Sequence, residues 1–342
     1  MTEATFGEAI RLATGNLLRL DSRVHVLGLG ASYPNGADGT LSGLAKKFPN
    51  RIHDTPCSEA AVTGAAVGMA VTGLKPIIHH GRIEFSLFAM DALITQAAKW
   101  NFMFGGNYPC PLTVRIAMGR QWGNGPQHTL TNKSMFAVPG LQVVCPASAR
   151  MAGGLLQSAH AQNNPVIFLE SRWLYKLRGN YDENFFPELG KAYTVGHRVA
   201  NPDIVLIGIA DTVVTCQQAA ERLKAMGVIV EVIDLVSVYP LDAAYVRSRL
   251  EQAAYGGIVV EAAPPSYSVA FELRSHVDGD YPLALITCPD YPCPTAPTQT
   301  ASYYPTWVTV YNTVAGIMRT LAYTTEDLTF ADLHLPPTDF VP

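Results

Sequence analysis

The feature that most limits how this chain can fold is an ordered alternation of short apolar runs with helical patterns, present twice along its length. Val24-His25-Val26-Leu27-Gly28, Arg51-Ile52-His53-Asp54, Pro76-Ile77-Ile78-His79, residues 111–116, residues 141–145 and Val166-Ile167-Phe168-Leu169 each read as a short strand. Helical spacing fills residues 4–20, 41–48, 58–72, 87–104 and 147–161 between and around them. Strands separated by helices pair in parallel through crossovers, so the expected sheet is covered on both faces. A second series follows, with strands at 204–208, 228–235 and 257–261 and helices at 212–226, 242–254, 268–276 and 307–321. The fold class expected is therefore α/β, in two domains. Residues 1–178 form the first, 179–200 a linker, 201–323 the second and 324–342 a Pro-bearing tail, read as loose rather than as a docking arm.

Composition narrows the functional classes. A chain of 342 residues is long enough for two buried cores. Only 15% of it is charged, which suggests that a partner covers part of the surface. Lys+Arg 24 against Asp+Glu 28 argues against nucleic acid or anionic membrane as the main ligand. No run approaches the roughly 18 apolar residues of a membrane span. The N-terminal stretch carries charges inside an amphipathic helical pattern, unlike a signal peptide. Six scattered Cys without a CxxC pair read as free thiols of a reducing cytoplasm, with no zinc site expected.

Several residues stand out, each with a plain alternative. Gly28-Leu29-Gly30 follows a strand, but Tyr33 occupies the third glycine position of a dinucleotide fingerprint and no helix opens there. Asp38-Gly39 has Ala37 where a GDG diphosphate motif needs glycine. Glu59 sits in the first turn of a helix of small apolar residues, where Ser58 or Thr55 could cap. It is either a helix-start carboxylate or an acid whose pKa burial would raise. His128, in the glycine-bearing loop 119–128, is either exposed or a general acid/base at the carboxyl end of a strand. His79, His80 and Arg82 form a polar run at a strand end, suited either to an anionic substrate group or to an interface salt bridge.

Beyond these single residues, the run DTPCSEAAVTGAAVGMAVTGLKPI resembles the DTPISE segment of the β subunits of thiamin-diphosphate-dependent 2-oxo acid dehydrogenases, the E1 components. FSLFAMDALITQAAKWNFMFGG, Gly125-Pro126-Gln127-His128 and VPGLQVVCPASARMAGGLLQSAHAQNNPVIFLE resemble further segments of that transketolase-like family. Val232-Ile233-Asp234-Leu235, Tyr239-Pro240-Leu241-Asp242 and Cys288-Pro289-Asp290-Tyr291-Pro292 resemble its C-terminal domain, and the likeness runs over roughly residues 5–320. It implies a pyrimidine-binding transketolase-like domain followed by a transketolase C-terminal α/β domain, in an α2β2 assembly. The α-like subunit would carry the diphosphate and Mg2+ site.

The resemblance also implies roles. Glu59 would hydrogen-bond N1′ of the aminopyrimidine, Phe85 would pack on its ring, and His128 would face the substrate. Backbone carbonyls near Leu112, Ala159, Gln162 and Asn164 would hold K+. The implied reaction is decarboxylation of a 2-oxo acid with transfer of the acyl or aldehyde unit, in the standard family case to a lipoyl group, so a lipoyl-bearing acyltransferase core becomes a second expected partner. The sequence departs from the family at Gly28-Leu29-Gly30, where an acidic pair is usual, and at His79-His80-Gly81-Arg82-Ile83, which is more polar. Trp122 and Asn124 also enlarge and polarise the His128 loop. These departures point to a substrate other than pyruvate or a branched-chain oxo acid, one contacted by His80, Arg82 and His128. They keep open the C-terminal half of a split transketolase moving a two-carbon ketol unit. An assembly-only subunit is the alternative of another class, and the presence of both Glu59 and His128 argues against it.

Overall fold

The computed structural model describes residues 1–120, 124–277, 279, 281–319 and 328–335. They fall into two compact units, Met1–Met118 with Met135–Leu189, and Gly119–Ser134 with the described residues from Gly190 to Leu335.

The first unit opens with strand β1 (Thr2–Thr5) and helix α1 (Phe6–Leu20). Thr5 and Glu8 close a reciprocal capping box at its start, and one apolar stripe including Phe6, Ile10, Ala13 and Leu17 is buried. Then follow β2 (Val24–Gly28), α2 (Leu44–Lys47), β3 (Ile52–Asp54), α3 (Glu59–Val71) and β4 (Lys75–His80). Residues 85–103 form one helical run that passes from a 3-10 turn through a π-helical stretch at Asp91–Ala97 into α4 (Ala98–Met103). The unit closes with β5 (Thr113–Met118), β6 (Gln142–Val144), α5 (Ala149–His160), β7 (Val166–Ser171) and β8 (Arg178–Tyr181). Six of these strands lie side by side in the order β6-β7-β5-β4-β2-β3, every pair parallel. Strands β5 and β7 are buried at every residue, as a sheet covered on both faces requires.

In the second unit β9 (Tyr193–Thr194), β10 (Ile204–Gly208), α6 (Asp211–Ala225), β11 (Val230–Asp234) and the short β12 (Ser237–Tyr239) lead to α7 (Ala243–Leu250). Next come β13 (Gly257–Val260), α8 (Val269–Val277), β14 (Leu283–Ile286), α9 (Pro297–Thr300), α10 (Trp307–Met318) and α11 (Phe330–His334). The sheet order is β14-β13-β10-β11-β9, parallel except for β9. At Gly208 an added Cβ would sit 2.6 Å from the backbone of Val213, so only glycine lets α6 start so close to the end of β10.

The α/β alternation is as the sequence implies, and the corrections lie at the joints. The stretch 179–200, read as a linker, takes in the last three residues of β8, which pairs antiparallel with β1 from Thr2↔Tyr181 to Thr5↔Arg178, and it also contains β9. Pairing with a strand at the far end of the chain is invisible to local periodicity. Part of the tail read as loose is the capped helix α11; the rest of it lies outside the described residues, as does Trp122. All six Cys are unpaired. No helix among the described residues is long and apolar enough to cross a membrane.

Candidate active site

Glu59 is the first residue of α3, immediately beyond the turn that follows β3, and is half-buried. Ser58 holds the N-cap position, but its side chain makes no capping bond. Thr63, Ala66, Val67 and Ala70 face inward, while Ala60, Ala61, Gly64, Ala65 and Gly68 are exposed. The apolar surroundings expected of Glu59 are therefore half open in this single chain.

His80, the last residue of β4, links the helix of Glu59 to the turn of Phe85. Its Nε2 lies 3.0 Å from Thr63 Oγ1, four residues after Glu59 on the same helix. Its Nδ1 lies 2.9 Å from Ser86 Oγ, next to Phe85. Burial lowers its pKa to about 4, so the ring is neutral at pH 7 and holds both hydroxyls with one donor and one acceptor nitrogen. Phe85 itself is half-buried at the start of its turn, its N–H donating to the Arg82 carbonyl at 3.2 Å.

Neighbouring residues of β4 point to opposite faces, and the polar run of the sequence is split accordingly. His79 pairs in register with Arg115 of β5, and burial, then Arg115, keeps its pKa well below the usual histidine value. Arg115 Nε and Nη2 grip Glu170 at 2.5 and 2.9 Å, and Nη2 also donates to Thr40 Oγ1 at 2.6 Å. Tyr175 donates to the same carboxylate at 2.9 Å. Burial opposes the charge on Arg115, but Glu170 outweighs it and the net shift is upward. This network ties β5 and β7 to the loop after β2. Further out, Arg172 pairs with Asp38 at 2.9 Å. Half-buried Arg82 feels burial and Arg172, which lower its pKa, against Asp38 and Glu84, which raise it. Just past the carboxyl end of β7 Arg172 is thus paired with Asp38, and Arg82, just past β4, feels both charges.

His128 belongs to the second unit. It ends a short 3-10 turn, Pro126–His128, that follows Gly125 at φ +74°, and it is half-buried. Thr129 Oγ1 and the His128 N–H both donate to the Gly125 carbonyl, at 2.9 and 3.2 Å. Both feet of this loop are held by buried ion pairs. Arg120 Nε lies 3.1 Å from Asp211 at the start of α6, with its guanidinium 5.4 Å over the Tyr304 ring. Lys133 Nζ lies 3.3 Å from Glu261, just past β13, and Glu261 also accepts the Ala270 N–H at 2.8 Å. Asp211 and Glu261 follow the carboxyl ends of adjacent parallel strands, β10 and β13.

The four residues expected at a cation site all lie in the first unit. The Leu112 carbonyl accepts from Val166 at 2.9 Å, and the Ala159 carbonyl from Gln162 at 3.1 Å. Asn164 Oδ1 lies 2.9 Å from the Asn101 amide. Sequence reasoning missed Arg115, Glu170, Arg120 and Lys133. Arg115 amid the apolar run Val114, Ile116, Ala117 and Met118 was the available signal, because a charge there requires a partner.

The description "Transketolase, pyrimidine binding domain" matches residues 2–178, and "Transketolase, C-terminal domain" residues 193–310. Pyruvate dehydrogenase E1 component subunit beta-1, mitochondrial, of Arabidopsis thaliana is 33% identical over 307 residues, 86% of this chain and 84% of that protein. The acetoin:2,6-dichlorophenolindophenol oxidoreductase subunit beta of Bacillus subtilis is 35% identical over 280 residues, 79% of this chain and 81% of that one. A solved split gene transketolase, described as an inactive beta4 tetramer, superposes with a TM-score of 0.73 over 93% of this chain and 98% of its own, at 17% identity, which shows a shared fold.

Proposed function

Because this chain belongs to the transketolase-like family of E1 β-type subunits, we propose that it is the β subunit of a heteromeric thiamin-diphosphate enzyme that decarboxylates a 2-oxo acid and passes on the acyl or aldehyde unit. The observation that carries the reading is the His80 bridge, which fixes the helix of Glu59 and the turn of Phe85 to one strand end. A half-buried carboxylate at a helix start and an aromatic face held by the same imidazole suit an aminopyrimidine, which needs a hydrogen-bond partner at one ring nitrogen and an apolar surface beside it.

When bound, thiamin diphosphate supplies a nucleophilic carbon and an electron sink for the substrate carbonyl. Glu59 would hold or give the proton at the pyrimidine N1′, and Phe85 would orient the ring. His128 would move a proton at the substrate or orient its carboxylate. His80, with both ring nitrogens engaged inside the fold, is assigned a positioning role instead of the substrate contact expected from sequence. Arg82 keeps the role of anion contact. Mg2+ and the diphosphate would be held by an α-like partner, because Ala37 breaks the motif that would do so here. An α2β2 assembly, a lipoyl-bearing acceptor core, and K+ at the carbonyls around Leu112, Ala159, Gln162 and Asn164 complete the proposal.

A second reading, transfer of a two-carbon ketol unit on a sugar-like substrate, draws on Arg82 and Arg172, whose charges suit a phosphorylated substrate. The test is a screen of oxo acids and ketoses with the chain co-expressed with an α-like partner, thiamin diphosphate and Mg2+. Turnover of a 2-oxo acid that Glu59→Ala abolishes is the expected result. Unaltered turnover in that variant would return the chain to the assembly-only class.

A further inference from the structure

Two histidines outside the polar run of β4 meet across the edge of the first unit's sheet. His25 Nδ1, on β2, lies 3.0 Å from His53 Nε2, on β3, and both residues are half-buried. We propose that they are positioning residues, and that their ring-to-ring hydrogen bond clips β3 to β2 and so fixes the turn that places Glu59. The inference rests on the reading of Glu59 as the partner of the aminopyrimidine.

The two rings lie within 13° of a common plane, with centroids 5.3 Å apart. An N···N contact of 3.0 Å fits that separation only if both nitrogens lie between the centroids, so the rings meet edge to edge. That is an N–H···N hydrogen bond, which needs one donor ring and one acceptor ring. It survives a first added proton, which goes to the outer nitrogen of the donor ring and leaves imidazolium facing imidazole. It does not survive a second, which would set N–H against N–H. Burial, then His53 and then Arg51, hold the His25 pKa below the usual histidine value, so its ring is neutral at pH 7. Among the charged neighbours, Arg23 is paired with Asp21 at 2.8 Å, and Arg51 donates to the Asp21 carbonyl at 3.0 Å. Helix α2 carries Lys46 and Lys47, and α3 has Glu59 as its one ionisable side chain.

Strand β3 ends the sheet, with three residue pairs to β2, from Val26↔Ile52 to Gly28↔Asp54. A strand so short keeps its place by side-chain pairs as well as by its ladder. His25 stands opposite Pro76 of β4, and Pro76, Ile78 and His80 share a face. The clip therefore lies on the side of the sheet where His80 meets Thr63 of α3. Helix α3 is tied to the sheet at Thr63 by His80, and at its start by whatever holds β3. From His53 the chain passes to Asp54, whose carboxylate accepts the Gly30 and Thr55 N–H groups. The Thr55 N–H also donates to the Gly28 carbonyl at 3.2 Å, and Glu59 opens α3 four residues later. A shift of β3 along β2 would carry the first turn of α3 with it.

The experiment is hydrogen–deuterium exchange on the full chain in its complex, corrected for the intrinsic pH dependence of exchange and read on peptides covering residues 52–60. In the parent, protection should hold from pH 7.5 to pH 6 and fall about tenfold by pH 5, the effect of losing roughly one hydrogen bond. His25→Phe should show that loss already at pH 7.5, with no further step in acid. The amide in His53→Gln can accept from a protonated His25 and donate to a neutral one, so this variant should stay protected throughout. It also carries the test if His25→Phe does not fold. Parent-like exchange at pH 7.5 in His25→Phe, or an undiminished acid step in His53→Gln, overturns the clip. Binding of thiamin diphosphate with Mg2+ to the complex, followed by calorimetry at pH 7.5, is the separate arm, and His25→Phe should weaken it about tenfold. Unweakened binding would overturn the positioning role. A parent complex that binds no thiamin diphosphate would instead retire the reading of Glu59 and leave the exchange result standing.

Discussion

The ring of His80 and the hydroxyl of Thr63 meet at 3.0 Å, while the other nitrogen of the same ring lies 2.9 Å from Ser86. A strand end is thus bonded at once to the helix that begins with Glu59 and to the turn that begins with Phe85. Neither the strand nor the helix could shift without breaking a buried hydrogen bond, which costs more than the bond contributes when made because a polar group is left unsatisfied.

This arrangement makes the fold sensitive to acid. Burial lowers the His80 pKa from 6.5 to about 4, so between those values the unfolded chain binds a proton that the folded chain does not. Its contribution to stability is therefore complete above about pH 6.5, falls as pH drops toward 4, and reaches about 3 kcal/mol in total. Urea unfolding at pH 7.5 and pH 5 should show the loss, and His80→Gln should flatten that slope while lowering stability at pH 7.5. An equal slope in the variant would remove His80 as the cause.

Arg115 and Glu170 form a fully buried pair, so removing one charge strands the other. Arg115→Met should cost about 3–5 kcal/mol, and Arg115→Met with Glu170→Leu much less. Thermal melting of the two variants decides the point. A double variant less stable than the single one would mean that the pair itself, rather than the stranded carboxylate, carries the energy.

Glu59 is half-buried and is the first residue of its helix, so its amide variant should fold normally. Glu59→Gln is expected to keep the melting temperature and to lose about 10²–10⁴ in kcat, the range for a positioned proton-transfer group. A kcat within twofold of the parent would retire Glu59 from the chemistry.

Arg82, just past the carboxyl end of β4, feels the charges of Arg172, Asp38 and Glu84. Arg82→Ala should raise KM for an anionic substrate about tenfold or more, with kcat less affected, as loss of a charge-assisted contact predicts. Saturation unchanged for every anionic substrate tried would leave Arg82 as a structural residue only.

Much of the fold was legible because its signals are local. The runs at 204–208 and 166–169 are continuous and apolar, and each is a buried parallel strand. The candidate site was legible as residue types in order: Glu59 at a helix start, His128 in a glycine-bearing loop. Illegible was how His79 and His80 divide, because adjacent strand residues face opposite sides and only the surrounding helices give each side its chemistry. The helix α11 was also missed, since its five residues owe their order to Trp307 and not to their own pattern.

The sequence by itself determined the α/β alternation and the two-part organisation, and it put forward an acid and histidines as candidates, because apolar period and residue chemistry are properties of neighbours along the chain. The tertiary structure alone decided which of the polar residues are engaged inward, that Thr2–Thr5 pairs with Arg178–Tyr181, and that Arg120 and Lys133 find Asp211 and Glu261. Those pairings join residues dozens to more than a hundred positions apart. A buried charge selects its partner by distance in space, which no local pattern records.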